Sequence, residues 1–184
     1  MTTVKLVDAQ GFRRTINRLA HEIVEKNKGA ENLALVGIRT RGDYLARRLA
    51  AQIQEIESFA VPVGTLDITL YRDDLRGKID QPLLQSTNIL FDLTGKIIVL
   101  VDDVLFTGRT IRSALNALMD IGRPDSIQLL VLIDRGHREL PIKADFVGKN
   151  VPTSLLQEVK VRMTECDDED AVALYSAESR EEKK

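Results

Sequence analysis

Helix-like and strand-like patterns of apolar residues alternate along most of the chain. After Asp8, apolar residues recur every three or four positions from Phe12 to Val24, which predicts an amphipathic helix capped by the aspartate. Residues 32–38 and 96–102 contain short, continuous apolar runs, as is typical of strands covered on both faces. Further segments of the same two kinds follow: a helix over 43–55, a strand over 61–71, a helix over 109–122 and a strand over 126–134.

This alternation predicts an α/β fold with a central, mostly parallel sheet flanked by helices. Residues 72–88 are polar, with charges of both signs, and predict a long loop of the kind that is usually functional or disordered. After residue 134 the pattern breaks into short strand-like pieces, with Pro141 and Pro152 between them. We expect these pieces to form a small subdomain over one edge of the sheet.

Length and composition indicate an ordinary globular chain. Its 184 residues predict one domain, and its hydrophobic share of 43% and charged share of 29% are those of a protein with a packed core. No apolar run approaches the roughly 20 residues of a membrane helix, and the N-terminus lacks the layout of a signal peptide. Cys166 is the single cysteine, so no internal disulfide can form. These features favour a cytoplasmic protein without a membrane partner.

Charge is distributed unevenly along the chain. Residues 1–48 hold ten Lys and Arg against five Asp and Glu, whereas the segment from Met163 onward holds eight acids against three bases. The formal net charge of the whole chain is only −2. We therefore expect a localised basic face and not a generally cationic protein.

The stretch KIIVLVDDVLFTGRT, residues 96–110, carries the clearest candidate chemistry. Asp102 and Asp103 end an apolar strand, and ligands of parallel sheets bind beyond the carboxyl ends of the strands. The loop then enters a helix whose first N–H groups can bind an anion, with Thr107 and Thr110 as hydroxyl donors and Gly108 permitting close approach. Carboxylates for sugar hydroxyls beside a phosphate cradle predict a ribose 5-phosphate site. Taken alone, the aspartate pair also fits a purely structural strand end.

The segment VLVDDVLFTGRT resembles the phosphoribosyl pyrophosphate (PRPP) motif of type I phosphoribosyltransferases. Together with VGIRTRG, DITLYRDDL, DRGHRELPI and GKNVPTS, it resembles the PyrR family from about residue 4 to about residue 175. The resemblance implies a type I phosphoribosyltransferase-like fold and a uracil phosphoribosyltransferase that converts uracil and PRPP to UMP and diphosphate. It also implies a regulator that binds the leader RNA of the pyrimidine biosynthesis operon and attenuates its transcription in response to UMP or UTP. The alternative is a purine phosphoribosyltransferase for hypoxanthine or guanine without an RNA function.

The same resemblance assigns roles to matching residues. Asp102 and Asp103 would contact the ribose hydroxyls, and a flexible lid at about 71–90 would bring Arg72 to the reacting atoms. The other candidates form three groups: Arg39, Thr40 and Arg41 for pyrophosphate; Val104, Leu105, Phe106, Thr107, Gly108, Arg109 and Thr110 for the 5-phosphate; Arg135, His137 and Val161 for uracil. His137 is a candidate general base, and a structural role fits it equally well. The hood that receives the base would span about 134–165, within a single domain 1–178 followed by a disordered tail, 179–184.

Cofactor and partners also follow from the resemblance. Mg²⁺ would arrive with PRPP and not through a set of protein ligands, and the protein would form a homodimer or homotetramer. For the RNA, a helical wheel of the first helix separates the apolar residues from a polar face. That face carries Arg14, Asn17, Arg18 and His21. We interpret it as the candidate RNA-binding surface, although an ordinary solvated helix face would look the same.

Overall fold

The computed structural model describes residues 2–68 and 87–176. The strands are β1 Thr2–Val7, β2 Leu33–Ile38, β3 Val63–Leu66, β4 Ile97–Leu105, β5 Ser126–Asp134, β6 Phe146–Asn150, β7 Gln157–Arg162 and β8 Ala171–Ser176. The helices are α1 Ala9–Asn27, α2 Arg41–Glu57, α3 Arg109–Ile121 and the short α4 Thr164–Asp167. Most predicted elements are therefore present. The predicted strand over 61–71 is shorter, ending at Leu66 within the described part of the chain.

The central sheet has five strands in the order β3-β2-β4-β5-β6, and every neighbouring pair is parallel. Alternate residues of β4 point to opposite faces. Val99 and Val101 join the core formed with α1 and α2, whereas Ile98 and Leu100 join the core that contains α3. This confirms the predicted α/β fold with helices on both faces, and it explains why the central strands read as continuous apolar runs.

The α1 helix begins and ends where the sequence predicts. The Asp8 carboxylate accepts a hydrogen bond from the N–H of Gly11 at 2.7 Å, which pairs one of the orphan donors of the first turn. Phe12, Leu19 and Ile23 are fully buried on the apolar face. At the other end Lys28 adopts a left-handed conformation with φ of 57°, and its N–H bonds back to the helix.

A tight turn between β2 and α2 brings the start of α2 against the end of β4. A Cβ atom at Gly42 would lie 2.4 Å from the Val101 carbonyl oxygen, and one at Gly37 would lie 2.3 Å from the Gly42 carbonyl oxygen. Only glycine fits two such close backbone approaches. The turn therefore places the loop before α2 beside the carboxyl end of β4.

A second, antiparallel sheet has the order β1-β8-β7, and only its strand β7 lies within the predicted hood at about 134–165; we call this sheet the hood from here on. It differs from the sequence-based expectation in two ways. The β1 strand comes from the N-terminus, where no strand is predicted, and β6 extends the central sheet instead of joining the hood. Val161 of β7 and Val172 of β8 pack in the same core as α1 and α2, so the hood is continuous with the main body.

Two further expectations concern regions at the limits of the described chain. Most of the predicted lid at 71–90, including Arg72, and the tail at 179–184 lie outside the described residues. Among the helices that are described, none is both long and apolar enough to cross a membrane.

Candidate active site

The site lies at the carboxyl end of β4, where Asp102 and Asp103 are placed side by side. Asp102 is buried, with 7% of its surface exposed, and Asp103 is half-buried. One oxygen of each carboxylate is held by the next backbone N–H, Asp103 N to Asp102 Oδ1 at 2.9 Å and Val104 N to Asp103 Oδ1 at 2.8 Å. Burial raises the pKa of Asp103, against the opposing effect of the nearby Arg41 guanidinium. The two carboxylates are thus fixed in orientation by the backbone.

A cavity of about 570 Å³ opens beside the second of these carboxylates, Asp103. Asp103 and Arg41 line one side of it, and Val159 and Val161 of the hood strand β7 line the other. Such a volume suits a small-molecule ligand. The structure therefore brings together predicted residues for three parts of the substrate: the ribose, the pyrophosphate and the base.

The loop after Asp103 has an unusual hydrogen-bonding polarity. Four consecutive carbonyl oxygens, from Leu105 to Gly108, all accept hydrogen bonds. The Leu105 carbonyl accepts from Arg135 N at 3.1 Å, and the Phe106 carbonyl accepts from Arg138 Nη1 at 2.9 Å. The Thr107 carbonyl accepts from Glu139 N and Leu140 N at 3.0 and 3.2 Å, and the Gly108 carbonyl accepts from Arg112 N at 2.9 Å. No described residue accepts from the backbone N–H groups of Phe106, Thr107 or Gly108. A loop with paired carbonyls and unpaired N–H groups is suited to bind an anion.

Gly108 connects this loop to α3. It adopts a left-handed conformation, with φ of 91°, as the N-cap of the helix. Thr107 Oγ1 accepts from the N–H of Arg109 at 3.3 Å, so the Thr107 side chain is turned toward the helix start. The positive end of the helix dipole adds to the attraction for an anion at this point. We call residues 104–110 the phosphate loop from here on.

Arg41, which lines the cavity together with Asp103, is held by Asp167 of α4, the short helix between β7 and β8. Its Nη2 atom lies 2.8 and 3.0 Å from the two carboxylate oxygens of Asp167, and its Nε atom lies 3.2 Å from one of them. The hydrogen bonds from Arg41 lower the pKa of Asp167 to about 2, and the same contacts raise the pKa of Arg41. Arg39 and Thr40, which are joined by a cis peptide, are exposed in the turn between β2 and α2.

Two predicted uracil-side residues, Arg135 and His137, lie between the phosphate loop and the hood. Arg135 is buried, and its guanidinium donates to the Gln157 carbonyl at 2.6 Å and to Thr153 Oγ1 at 3.1 Å. Its charge stands 4.1 Å from the ring centre of Phe106. His137 is exposed, and its Nε2 atom lies 2.5 Å from the Thr153 carbonyl oxygen. Contact of either residue with a base stays a prediction.

Two site residues were missed by the sequence reasoning. Asp167 holds Arg41 from 126 positions away, a distance along the chain that no local spacing reveals. Arg138 stands within DRGHRELP, but the motif gives no sign that its side chain bonds the phosphate loop. A clue did exist for the first of these, because the acidic segment after Met163 complements the arginines near the N-terminus. Arg48 likewise pairs with Glu165 and Asp170.

The four candidate RNA contacts are all exposed on one face of α1. Two of them are held by neighbouring elements. The Asn17 side chain donates to Gln52 Oε1 on α2 at 2.9 Å, and Arg18 donates to the Gly148 carbonyl on β6 at 2.6 Å while pairing with Glu22. Arg14 and His21 complete the exposed face. Their role in RNA binding stays a prediction.

The sheet order, the paired aspartates and the phosphate loop define a phosphoribosyltransferase. Residues 3–165 match the family model described as phosphoribosyl transferase domain. A solved hypoxanthine phosphoribosyltransferase from Trypanosoma cruzi, in complex with the product IMP, has a similar fold, with a TM-score of 0.71 and 17% identity over 95% of this chain and 90% of that one. A hypoxanthine phosphoribosyltransferase from Staphylococcus aureus gives a TM-score of 0.61 at 19% identity, over 83% and 80% of the two chains.

Closer relatives narrow the class. Three are each named bifunctional protein PyrR. The one from Thermus thermophilus is 63% identical over 95% of this chain and 96% of its own, that from Pelotomaculum thermopropionicum 61% over 92% and 94%, and that from Bacillus subtilis 55% over 94% and 97%. The chain belongs to the PyrR family. This membership confirms the prediction of a uracil phosphoribosyltransferase that is also an attenuation regulator of the pyrimidine operon. The likeness to hypoxanthine enzymes shows the fold alone.

Proposed function

We propose that the ribose 5-phosphate of PRPP lies across β4, with its hydroxyls on Asp102 and Asp103 and its phosphate in the phosphate loop. This assignment rests on the run of four paired carbonyls after the two carboxylates, beside three N–H groups that donate to no residue among 2–68 and 87–176. A sugar phosphate presents hydroxyls and an anion at neighbouring positions. The two halves of the site offer matching acceptors and donors.

The reaction displaces pyrophosphate from C1 of the ribose. The C1–O bond to pyrophosphate breaks, the C1–N1 bond to uracil forms, and the proton of N1 is released. Positive charge develops on the sugar ring in the transition state, and the fixed carboxylates of Asp102 and Asp103 stabilise it electrostatically. Arg41, with Arg39 and Thr40 beside it, receives the departing pyrophosphate, for which a guanidinium provides paired hydrogen bonds.

Mg²⁺ is proposed as a companion of PRPP. Among residues 2–68 and 87–176 no group of three or more His, Cys, Asp or Glu side chains could hold a metal. Asp102 and Asp103 supply carboxylate oxygens, the ligand type that Mg²⁺ prefers, but too few for a protein-built cage. Such a pair fits an ion that is held mainly by substrate oxygens. When bound, the ion neutralises charge on the leaving group.

For uracil we propose a place against β7, which is an edge strand of the hood sheet. The Gln157 carbonyl bonds Arg135 and therefore faces away from β8. Because backbone groups alternate sides along a strand, the N–H and C=O groups of Val159 and Val161 face the same free edge. Both residues line the cavity. Their backbone groups complement the alternating acceptors and donor of the uracil edge, and Arg135 and His137 support this side of the site.

The enzyme assignment is tested by replacing both carboxylates. Asp102→Asn plus Asp103→Asn keeps size and packing but removes the negative charge beside the sugar. We expect turnover of uracil with PRPP and Mg²⁺ to fall by about 10²-fold or more. Wild-type protein assayed with hypoxanthine in place of uracil is the specificity control, and it should show no turnover. Intact turnover in the double variant would refute the placement of the ribose.

For the regulatory function we propose that α1 presents Arg14 and His21 to leader RNA, with Asn17 and Arg18 on the same face. Arginine pairs with phosphates, and an exposed helix face can follow an RNA backbone. A gel-shift assay with pyrimidine-operon leader RNA, with and without UMP, measures this directly. Arg14→Ala plus His21→Ala should weaken binding about tenfold and leave turnover near normal. Arg123→Ala, an exposed arginine after α3, is the control, and equal binding by the double variant would reject this face.

A homodimer or homotetramer remains part of the proposal. Sedimentation of the protein at several concentrations distinguishes these two assemblies from a monomer. The RNA assay should be read at the concentration at which the assembly is established, because a face repeated by symmetry binds with higher apparent affinity than a single copy.

A further inference from the structure

The Arg138 side chain hydrogen-bonds the phosphate loop and three neighbouring positions. We infer that it is a positioning residue, which aims the loop toward the 5-phosphate; this rests on the phosphate site proposed above. Its Nη1 atom donates to the Phe106 carbonyl at 2.9 Å and to the Gly136 carbonyl at 3.1 Å. Its Nε atom donates to the Ile142 carbonyl at 3.0 Å, and its Nη2 atom bonds Asp134 Oδ2 at 2.5 Å.

This arrangement ties three parts of the backbone together. Asp134 is the last residue of β5, Phe106 follows β4, and Ile142 lies beyond the turn that covers the loop. The side chain of Arg138 is only 23% exposed, so the guanidinium is largely withdrawn from competing water. Asp134 is itself fixed, because its Oδ1 atom accepts from the N–H of Gly136 at 3.0 Å. The loop is therefore anchored to the end of the neighbouring strand through one guanidinium.

Peptide geometry links this anchor to anion binding. In a trans peptide the C=O of one residue and the N–H of the next point in opposite directions. Holding the Phe106 carbonyl toward Arg138 therefore aims the Thr107 N–H to the other side of the loop. The carbonyls of Leu105, Thr107 and Gly108 are held by backbone N–H groups. The Phe106 carbonyl is held by a side chain, so substitution can release it selectively.

Lysine cannot take over this role. Its three donors radiate from a single nitrogen, whereas the Arg138 contacts come from three nitrogens of one planar group spread over acceptors on different segments. Both Arg138→Ala and Arg138→Lys should therefore disturb the Thr107 N–H. The lysine variant keeps the positive charge, which separates an effect of loop geometry from one of charge.

The test compares the dissociation constants of UMP and uridine, measured by calorimetry, because the two ligands differ in the phosphate alone. Both variants should bind UMP about 10- to 100-fold more weakly than wild type, with uridine affinity unchanged. Asp145→Ala is the control. Its carboxylate also holds a backbone N–H, that of Leu129 at 2.9 Å, but in the first half of β5, away from the phosphate loop. That variant should lower both affinities little and equally.

The outcomes separate this inference from the proposed site. If UMP affinity is unchanged in Arg138→Lys and Arg138→Ala, or if UMP and uridine weaken by the same factor, Arg138 has only a general structural role. Gly108→Ala provides the second reference, since it strains the same loop without touching Arg138. Weak UMP binding in Gly108→Ala with normal binding in both Arg138 variants overturns only the positioning role. Normal UMP binding in Gly108→Ala would instead refute the phosphate site.

Discussion

The two proposed anion-binding parts of the site, the phosphate loop and the region around Arg41, are built in opposite ways. The phosphate loop is one continuous segment, and its proposed donors are backbone N–H groups. The carbonyl groups of the same loop accept hydrogen bonds from residues within 135–140 and from Arg112. The proposed pyrophosphate side uses the side chain of Arg41, held by Asp167 of α4. The first side depends on local backbone conformation. The second depends on an ion pair between distant parts of the chain, so we expect it to be the more sensitive of the two to salt.

The largest effect should come from distorting the backbone side. Gly108→Ala places a side chain at φ of 91° and its Cβ 3.2 Å from Ile142 Cδ1. A displacement of the loop should lower kcat/KM for PRPP by about 10²-fold. Gly95→Ala is a matched control, because Gly95 also has a positive φ, of 73°, but nothing lies within 4 Å of its added Cβ. Steady-state kinetics of both variants measure the difference, and equal losses would show that strain alone is responsible.

We expect a smaller effect on PRPP binding from changes at Arg41 and Asp167, the proposed pyrophosphate side. Arg41→Ala removes a charged contact to pyrophosphate and should raise KM for PRPP about tenfold. Asp167→Asn keeps Arg41 but loosens its orientation, so the rise should be about threefold or less. Arg47→Ala, an exposed arginine one and a half turns later on α2, should leave KM unchanged. A greater rise for Asp167→Asn than for Arg41→Ala would mean that Asp167 contacts the substrate itself.

The smallest effect concerns stability and pH. The pKa of Asp167 is lowered to about 2 by Arg41, compared with an ordinary value of about 3.9. A lowered carboxyl pKa stabilises the folded state above the unfolded pKa, and this contribution is lost as pH falls through the folded pKa. Asp167→Asn should therefore lower the free energy of unfolding by roughly 0.2–1 kcal/mol at pH 7, and the difference should shrink below about pH 4 and vanish near pH 1. Urea unfolding at several pH values tests this, and a difference that stays at its pH 7 size down to about pH 1 would contradict the ion-pair origin.

The contrast between a local segment and contacts from distant parts of the chain also explains which features can be predicted from the sequence. The phosphate loop and its two aspartates occupy successive residues, and the chemistry of strand, carboxylate and helix start is local, so it is predictable without a structure. The α1 helix is equally clear because Asp8 and the apolar period mark it. By contrast, β1 pairs with β8 from the opposite end of the chain, with Thr2 opposite Ser176, and short strands of this kind are specified mainly by their tertiary partners.

Side-chain partnerships across the chain were the least predictable part. The charge count shows basic residues near the N-terminus and acidic residues near the C-terminus, but not that Arg41 pairs with Asp167 and Arg48 with Asp170. Arg135 illustrates the same limit. Its position after β5 suggested contact with a base, whereas much of its hydrogen-bonding capacity is used on Thr153, Ser154 and Gln157. The type and position of a residue predict which region of the site it occupies, whereas its hydrogen-bond and ion-pair partners depend on how the chain folds.

The most direct test of the account is a crystal structure of the protein with bound UMP. The phosphoryl oxygens should lie about 2.7–3.2 Å from the backbone nitrogens of Phe106, Thr107 and Gly108, and the ribose hydroxyls should face Asp102 and Asp103. A phosphoryl group bound beside Arg41, or anywhere else outside residues 104–110, would contradict the central claim that the carboxylate pair and the phosphate loop form one ribose 5-phosphate site.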